Sequence, residues 1–433
     1  MTPDLEPARE PLVRRLSAIG LWVLVINGMI GAGIFGVPAE AARLAGWFSP
    51  WVFAICGLLL LPVMLCFAEL GSYFSGTGGA VLYAGTAFGP MAGFQAGWCL
   101  YVGRLLAFAA NVNLLVDSVA YFWGGSLGPV LRAVLLLAAC AVLTVLNVAG
   151  ARATMRALST LTVLKLLPLL ALVSVGLVRV TPHPFAPSTF AAHDVGAAVL
   201  FVVYAYTGFE SAPVAAGEAR NPQRDLPRAL LAALAVCCVL YVLIQSVAVA
   251  ALPTLASAKR PLLDVAGVLM GPLGVVALAA GVVASVGANL VASMFSVPRI
   301  TYRLALEGYL PRWFAAVHPA YHTPYRSVIF FGAACFVLAE SGSFVWLAGL
   351  SVLTRLAVYL CCAAALTRVR GRLRDAPGAL HLPGGAAVPV LAMAVCVGLL
   401  TQVSAVAYAT AAAFLAAGTV LYLLARSSVR TAD

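Results

Sequence analysis

Long apolar runs, cut by short polar or glycine- and proline-rich clusters, fill nearly the whole chain. A hydrocarbon layer is crossed by about 20 residues of helix. Counting runs of that length gives twelve predicted helices, at 16–46, 48–70, 91–120, 129–149, 159–178, 195–217, 229–252, 271–305, 326–341, 344–366, 386–406 and 408–425. The pattern predicts an all-α polytopic membrane protein. Two of the runs are interrupted. The first contains "INGMIGAGIFGVPAEAARLAG", Ile26 to Gly46, with five glycines and a proline. The sixth contains Thr207-Gly208, followed by Glu210 and Pro213.

Within hydrocarbon an unpaired N–H or C=O is costly, so an unwound stretch survives only where protein or a cavity surrounds it. Gly31, Gly33 and Gly36 would by themselves equally serve close helix packing. The recurrence of a break tips the balance. Helices 1 and 6 open two sets of five, 1–5 and 6–10, and matched interruptions point to an inverted-repeat transporter with its site at the midplane. The second half of helix 1, starting near Ile34 with Pro38 in its first turns, would turn free N–H groups to the cavity. Amides near Ala32 and Gly33 suit a carboxylate, and carbonyls near Met29, Tyr204 and Thr207 suit an ammonium. With Gly31 and Gly208 opening the backbone, the two breaks form a receptor for a zwitterion.

Composition agrees: of 433 residues 63% are hydrophobic and 9% charged, with a mean hydropathy of +1.02, far too little charge for a soluble domain. The polar first fifteen residues do not read as a cleavable signal peptide. With the N-terminus inside, eighteen Lys/Arg residues fall on the cytoplasmic side and five (Arg43, Arg132, Arg179, Lys259, Arg260) on the other. That bias predicts twelve spans with both termini cytoplasmic. The net charge of +11 is an orientation signal and, spread over several loops, no argument for a nucleic-acid partner. The ten cysteines lie almost entirely in apolar runs and read as small buried hydrophobes. Clustered histidines, CxxC, HExxH and GxxxxGK[ST] patterns do not occur, so no enzyme activity, metal or cofactor is called for.

Several stretches together resemble the amino acid–polyamine–organocation superfamily of permeases. They are "GMIGAGIFGVPA", "FAELGSYFSGTGGAVLYAGTAFGPMAGFQAGW", "AYTGFESAPVAAGEARNPQRDLPRAL" and "ALEGYLPRWFAAVHPAYHTP". The resemblance implies a five-plus-five inverted repeat with discontinuous helices 1 and 6, plus two C-terminal helices. In this numbering a cytoplasmic tail (1–14) precedes repeats at 15–180 and 190–366, helices at 380–425 and a second tail (426–433). It also implies alternating-access transport of amino acids or related amines across the plasma (inner) membrane, with amino acid, lipid and proton as the partners. Ala32 stands where some relatives carry a serine that touches the carboxylate, and Phe74-Ser75 where they read Tyr-Pro.

Arg104, Lys165 and Arg355, the remaining basic residues of the 26, lie inside apolar runs, where an ionisable group faces the bundle interior. Lys165 could snorkel to the interface. The resemblance sets it instead at a helix-5 lysine found in sodium-independent members, with Ser293 as its expected helix-8 partner and Ser296 second. Transport would then be sodium-independent and proton-coupled, or else exchange. Glu210 reads either as a cap on the half-helix or as a protonatable, gate-linked carboxylate. Tyr204 is either a core aromatic or the ring that closes over substrate. Arg104 would pair with Glu210 or Asp117, or face the cavity and select the substrate side chain. Arg355 reads as structural, and the charged stretch Glu218–Leu230 as a cytoplasmic cap and turn.

Overall fold

A computed structural model describes residues 16–120, 127–180, 192–341, 344–373, 379–382, 384–402 and 405–430. The tail 1–14, residues 181–191 and the last three residues lie outside these. The regular structure of the described part is helical, with one isolated parallel bridge, Leu16 to Ala219, as its sole strand-like pairing.

The first apolar run is two helices, α1 (Ala18–Met29) and α2 (Gly33–Ala45), followed by α3 (Ser49–Tyr73). A short α4 (Ala80–Phe88) leads into α5 (Pro90–Ala120), α6 (Pro129–Val148) and α7 (Ala151–Arg179). The sixth run is again divided, into α8 (Ala192–Tyr206) and the single turn α9 (Ser211–Val214). Beyond it come α10 (Pro222–Ala251), α11 (Pro261–Ser296) and α12 (Pro298–Leu306), then α13 (Tyr325–Ser341), α14 (Phe344–Leu373), α15 (Ala387–Leu400) and α16 (Ala405–Arg430).

Several boundaries depart from the apolar pattern for local reasons. α10 begins at Pro222, seven residues before the predicted 229, because proline suits the first helical turn although Arg224, Asp225 and Arg228 follow it. The stretch expected as a cap and turn is therefore mostly helix. α7 likewise starts at Ala151, not 159, its first turns carrying Arg152 and Arg156. α4 was not anticipated; it is nine residues long between Gly79 (φ 51°) and Gly89 (φ 93°), both in the left-handed region glycine adopts without strain. α11 bends at Gly271 (φ 69°, ψ −164°), which is where the eighth run was predicted to start.

Nine segments among the described residues are long and apolar enough to cross a membrane. α6 and α7 show many of their apolar side chains outward, including Val130, Leu131, Val142, Leu164 and Leu167. Water would penalise such a surface and hydrocarbon would not. The polar residues point the other way. Asn27, Arg104, Lys165, Glu210, Asn289 and Arg355 are all buried, gathered where α1, α2, α8 and α9 meet α5, α7, α10, α11 and α14. All ten cysteines are free thiols, eight of them buried.

Candidate functional site

The two breaks touch glycine to glycine. A Cβ on Gly28 would lie 2.3 Å from the Gly208 carbonyl oxygen, and one on Gly208 would lie 2.1 Å from that of Gly28. Gly208 also has φ 110°, a conformation other residues adopt only under strain. A Cβ on Gly33 would meet the Ala205 backbone at 2.7 Å, and one on Gly31 the Asn289 side chain at 2.8 Å, whereas Gly36 has open space around it. Close packing is thus one use of these glycines, at three of the four positions in the first break.

Hydrogen bonding supplies the other use. α1 ends with Ile30 N–H on the Ile26 carbonyl, and Gly31 N–H donates to Met29. Among the described residues, the next three amides, Ala32, Gly33 and Ile34, have no hydrogen-bond partner within the protein. They form the start of α2, where unpaired N–H groups and the helix dipole favour an anion.

The carbonyls freed by the same break are, in contrast, occupied from inside. The Lys165 ammonium donates to Ile30 O at 2.8 Å, and the Ser285 hydroxyl reaches the same oxygen at 3.2 Å. Asn289 Nδ2 donates to Gly28 O at 2.6 Å and Asn27 O at 3.1 Å. Its own Oδ1 accepts from Asn111, whose Oδ1 accepts from the Tyr204 hydroxyl. Tyr241 Oη stands 3.1 Å from both Met29 O and Ala205 O, so a single hydroxyl proton serves both breaks. Tyr241→Phe is expected to lower stability by about 1–3 kcal/mol through loss of that buried donor, read as a lower unfolding temperature in detergent.

A charged cluster closes the second break. Glu210 Oε2 accepts from Gly208 N–H and from the Tyr359 hydroxyl, both at 2.9 Å. Its Oε1 lies 3.5 Å from Arg104 Nη1 and 3.4 Å from Arg355 Nε. Arg104 Nη2 donates to Ser211 at 2.5 Å and Ser293 at 3.0 Å, and Arg355 Nη1 donates to Thr207 Oγ1. All three charged side chains are buried. Both arginines line one small cavity together with Gly31, Ala32, Gly33 and Tyr204. The space that the centre of a water molecule can reach there is about 20 Å³, room for about one water.

The expected site residues therefore come together: Met29, Gly31, Ala32, Gly33, Arg104, Tyr204 and Thr207 all line this cavity, with Gly208 and Glu210 behind it. Three expectations need correction. Ser293, expected to partner Lys165, instead accepts from Arg104; the hydroxyl beside Lys165 is Ser285, and Ser296 bonds back to its own helix. The Met29 and Tyr204 carbonyls, expected to be open to an ammonium, already accept from Tyr241 and Thr207. Arg355, read as structural, lies on the cavity wall. Arg104 meets Glu210, while Asp117 faces Arg132 at 3.4 Å. Asn27, Asn111, Tyr241, Ser285 and Asn289 were missed. One sign of them was available, since Ser285, Asn289, Ser293 and Ser296 form a polar stripe at helical spacing along an otherwise apolar run.

Comparison with known proteins accords with this geometry. The chain is 27% identical to the methylthioribose transporter of Bacillus subtilis over 98% of its own length and 95% of the relative's. It is 27% identical to the branched-chain amino acid permease of the same organism, over 96% and 93%. With that organism's serine/threonine exchanger the identity is 25%, over 88% and 89%. A family model described as amino acid permease matches residues 16–425, from the bridge at Leu16 through both breaks to the last helix. The chain is therefore a multi-pass integral membrane protein of the amino acid permease family, one of transporters and not of enzymes.

Proposed function

We propose that this permease moves amino acids by alternating access, with twelve spans, a five-plus-five inverted repeat and both termini on the cytoplasmic face of the plasma (inner) membrane. The observation that carries the reading is the row of unpartnered amides, Ala32, Gly33 and Ile34, of which Ala32 and Gly33 line the cavity where the two breaks meet. A substrate carboxylate satisfies them, in a site whose freed carbonyls already accept from the protein's own side chains. The repeat boundaries 15–180 and 190–366 follow from pairing the α1/α2 break with the α8/α9 break. The eighteen-to-five bias of basic residues supports the orientation.

Lys165 supports sodium independence. Its ammonium already donates to a freed carbonyl of the first break, a role a metal ion would otherwise have. It also has no ion pair with a carboxylate among the described residues. Its proton can therefore leave without breaking such a pair, which supports coupling to a proton gradient over simple exchange.

The test is uptake of a panel of labelled amino acids, with methylthioribose included, by the reconstituted protein under separate sodium and pH gradients. Amino acid uptake is expected to be unaffected by sodium and driven by an inward proton gradient. Lys165→Ala is expected to lose most of the uptake, and its residual activity to lose the pH response. A sodium requirement, or an unchanged pH response in Lys165→Ala, would refute the role of Lys165. Uptake of methylthioribose with none of any amino acid would refute the substrate class.

A further inference from the structure

The buried charges of the described residues do not balance, and the surplus that cannot be shed as a proton stands in one place. Three glutamates are buried, Glu69, Glu210 and Glu218. Glu69 pairs with Arg370 at 2.6 Å and Glu218 with Arg299, one cation to one anion. Glu210 alone faces two guanidiniums, Arg104 and Arg355, at 3.5 and 3.4 Å. Its Oε1 reaches neither within hydrogen-bonding geometry, and Arg355 Nε is buried with no hydrogen-bond partner. The other uncompensated cation, Lys165, belongs to a residue type that can shed its proton when buried; an arginine keeps its charge. The cavity wall therefore holds a fixed surplus of one positive charge.

A buried charge without a counter-ion is costly, and the cost is met by an ion of opposite sign rather than by a neutral group. Resting on the reading of this cavity as an amino acid site, we propose that the substrate carries a second anionic group, as acidic amino acids do, and that Arg104 and Arg355 hold it. The substrate's zwitterionic end adds no net charge. Its side-chain carboxylate brings the count at the cavity to zero, and the planar guanidinium fork matches a carboxylate in shape. A neutral side chain leaves the surplus standing, and a cationic one adds to it, so the same pair of arginines also excludes the wrong partners.

The test uses the full-length protein in detergent, with thermal stabilisation and competition binding against L-glutamate, L-aspartate, L-glutamine, L-asparagine, L-leucine and L-arginine, plus a chloride titration. An acidic amino acid is expected to bind at least about tenfold more tightly than its amide counterpart, the scale set by one buried charge pair. Arg104→Gln leaves Arg355 and Glu210 as a balanced pair like the two found elsewhere, so it is expected to fold while narrowing the acid-to-amide ratio. Arg355→Gln serves as the second variant, and elution as a single species checks the fold of each.

An unchanged ratio in both variants would overturn the assignment to these arginines. Equal binding of glutamate and glutamine, or stabilisation by chloride in place of either, would overturn the inference and leave the proposed transport of amino acids intact. No response to any amino acid would overturn that broader reading, and this one with it.

Discussion

Glu210→Ala is expected to be the most damaging single substitution in the site. It leaves the Arg104 and Arg355 guanidiniums buried side by side with no anion between them, and breaking a buried ion pair from one side costs about 3–5 kcal/mol. It also removes the acceptor for Gly208 N–H and for the Tyr359 hydroxyl, so the turn between α8 and α9 loses its internal cap. The expected result is a large fall in unfolding temperature in detergent and no measurable uptake. Glu210→Gln keeps an oxygen for those two donors and removes only the charge. Its loss should be partly restored by adding Arg104→Gln, a non-additivity that a double-mutant cycle reads directly. Wild-type stability in Glu210→Ala would show that the cluster is not held by its carboxylate.

Gly208→Ala is expected to abolish transport by a different route. The residue has φ 110°, which costs a non-glycine residue about 1–3 kcal/mol. The added methyl would also sit 2.1 Å from the Gly28 carbonyl oxygen, an overlap worth about 1–3 kcal/mol more. Gly28→Ala meets the reciprocal obstacle at 2.3 Å from the Gly208 carbonyl without the dihedral strain, so it should be the milder of the two. Gly36→Ala, with open space at its Cβ, is the control and should unfold close to the wild-type temperature. Equal behaviour of the three variants would rule out backbone contact between the breaks as the cause.

Where the chain is cut was readable from its residues. Glycines two and three residues apart in one apolar run, and Thr207-Gly208 followed by Glu210 and Pro213 in another, have few uses, and both interruptions fall at the places the pattern indicated. Which side chain meets which was far less readable. Ser293 and Ser285 lie eight residues apart on α11, about 12 Å along the helix axis, and nothing in the local pattern says which of them stands level with Lys165 on α7. The Arg104–Glu210–Arg355 cluster draws on α5, the turn before α9, and α14; only the packing of distant helices makes one carboxylate face two arginines. Arg355 looked structural because no acid is near it in sequence, and its partner is 145 residues away. The missed asparagines are uncharged, so a search for costly buried charge passed over them. Helix starts at Ala151 and Pro222 were hidden because charged first turns lower the hydropathy of residues that are nonetheless helical.

The bridge at Leu16 has a mechanical implication. Leu16 N–H donates to Glu218 O, and Arg220 N–H donates to Leu16 O, so the outer tip of α1 is lashed to the segment that follows α9. The inner ends of the same two pieces are in contact at Gly28 and Gly208. Two rods joined at both ends make a rigid truss, so neither can tilt while the other stays still. Any rearrangement that admits cargo from that side has to swing the pair as one lever, or first untie the knot at Leu16.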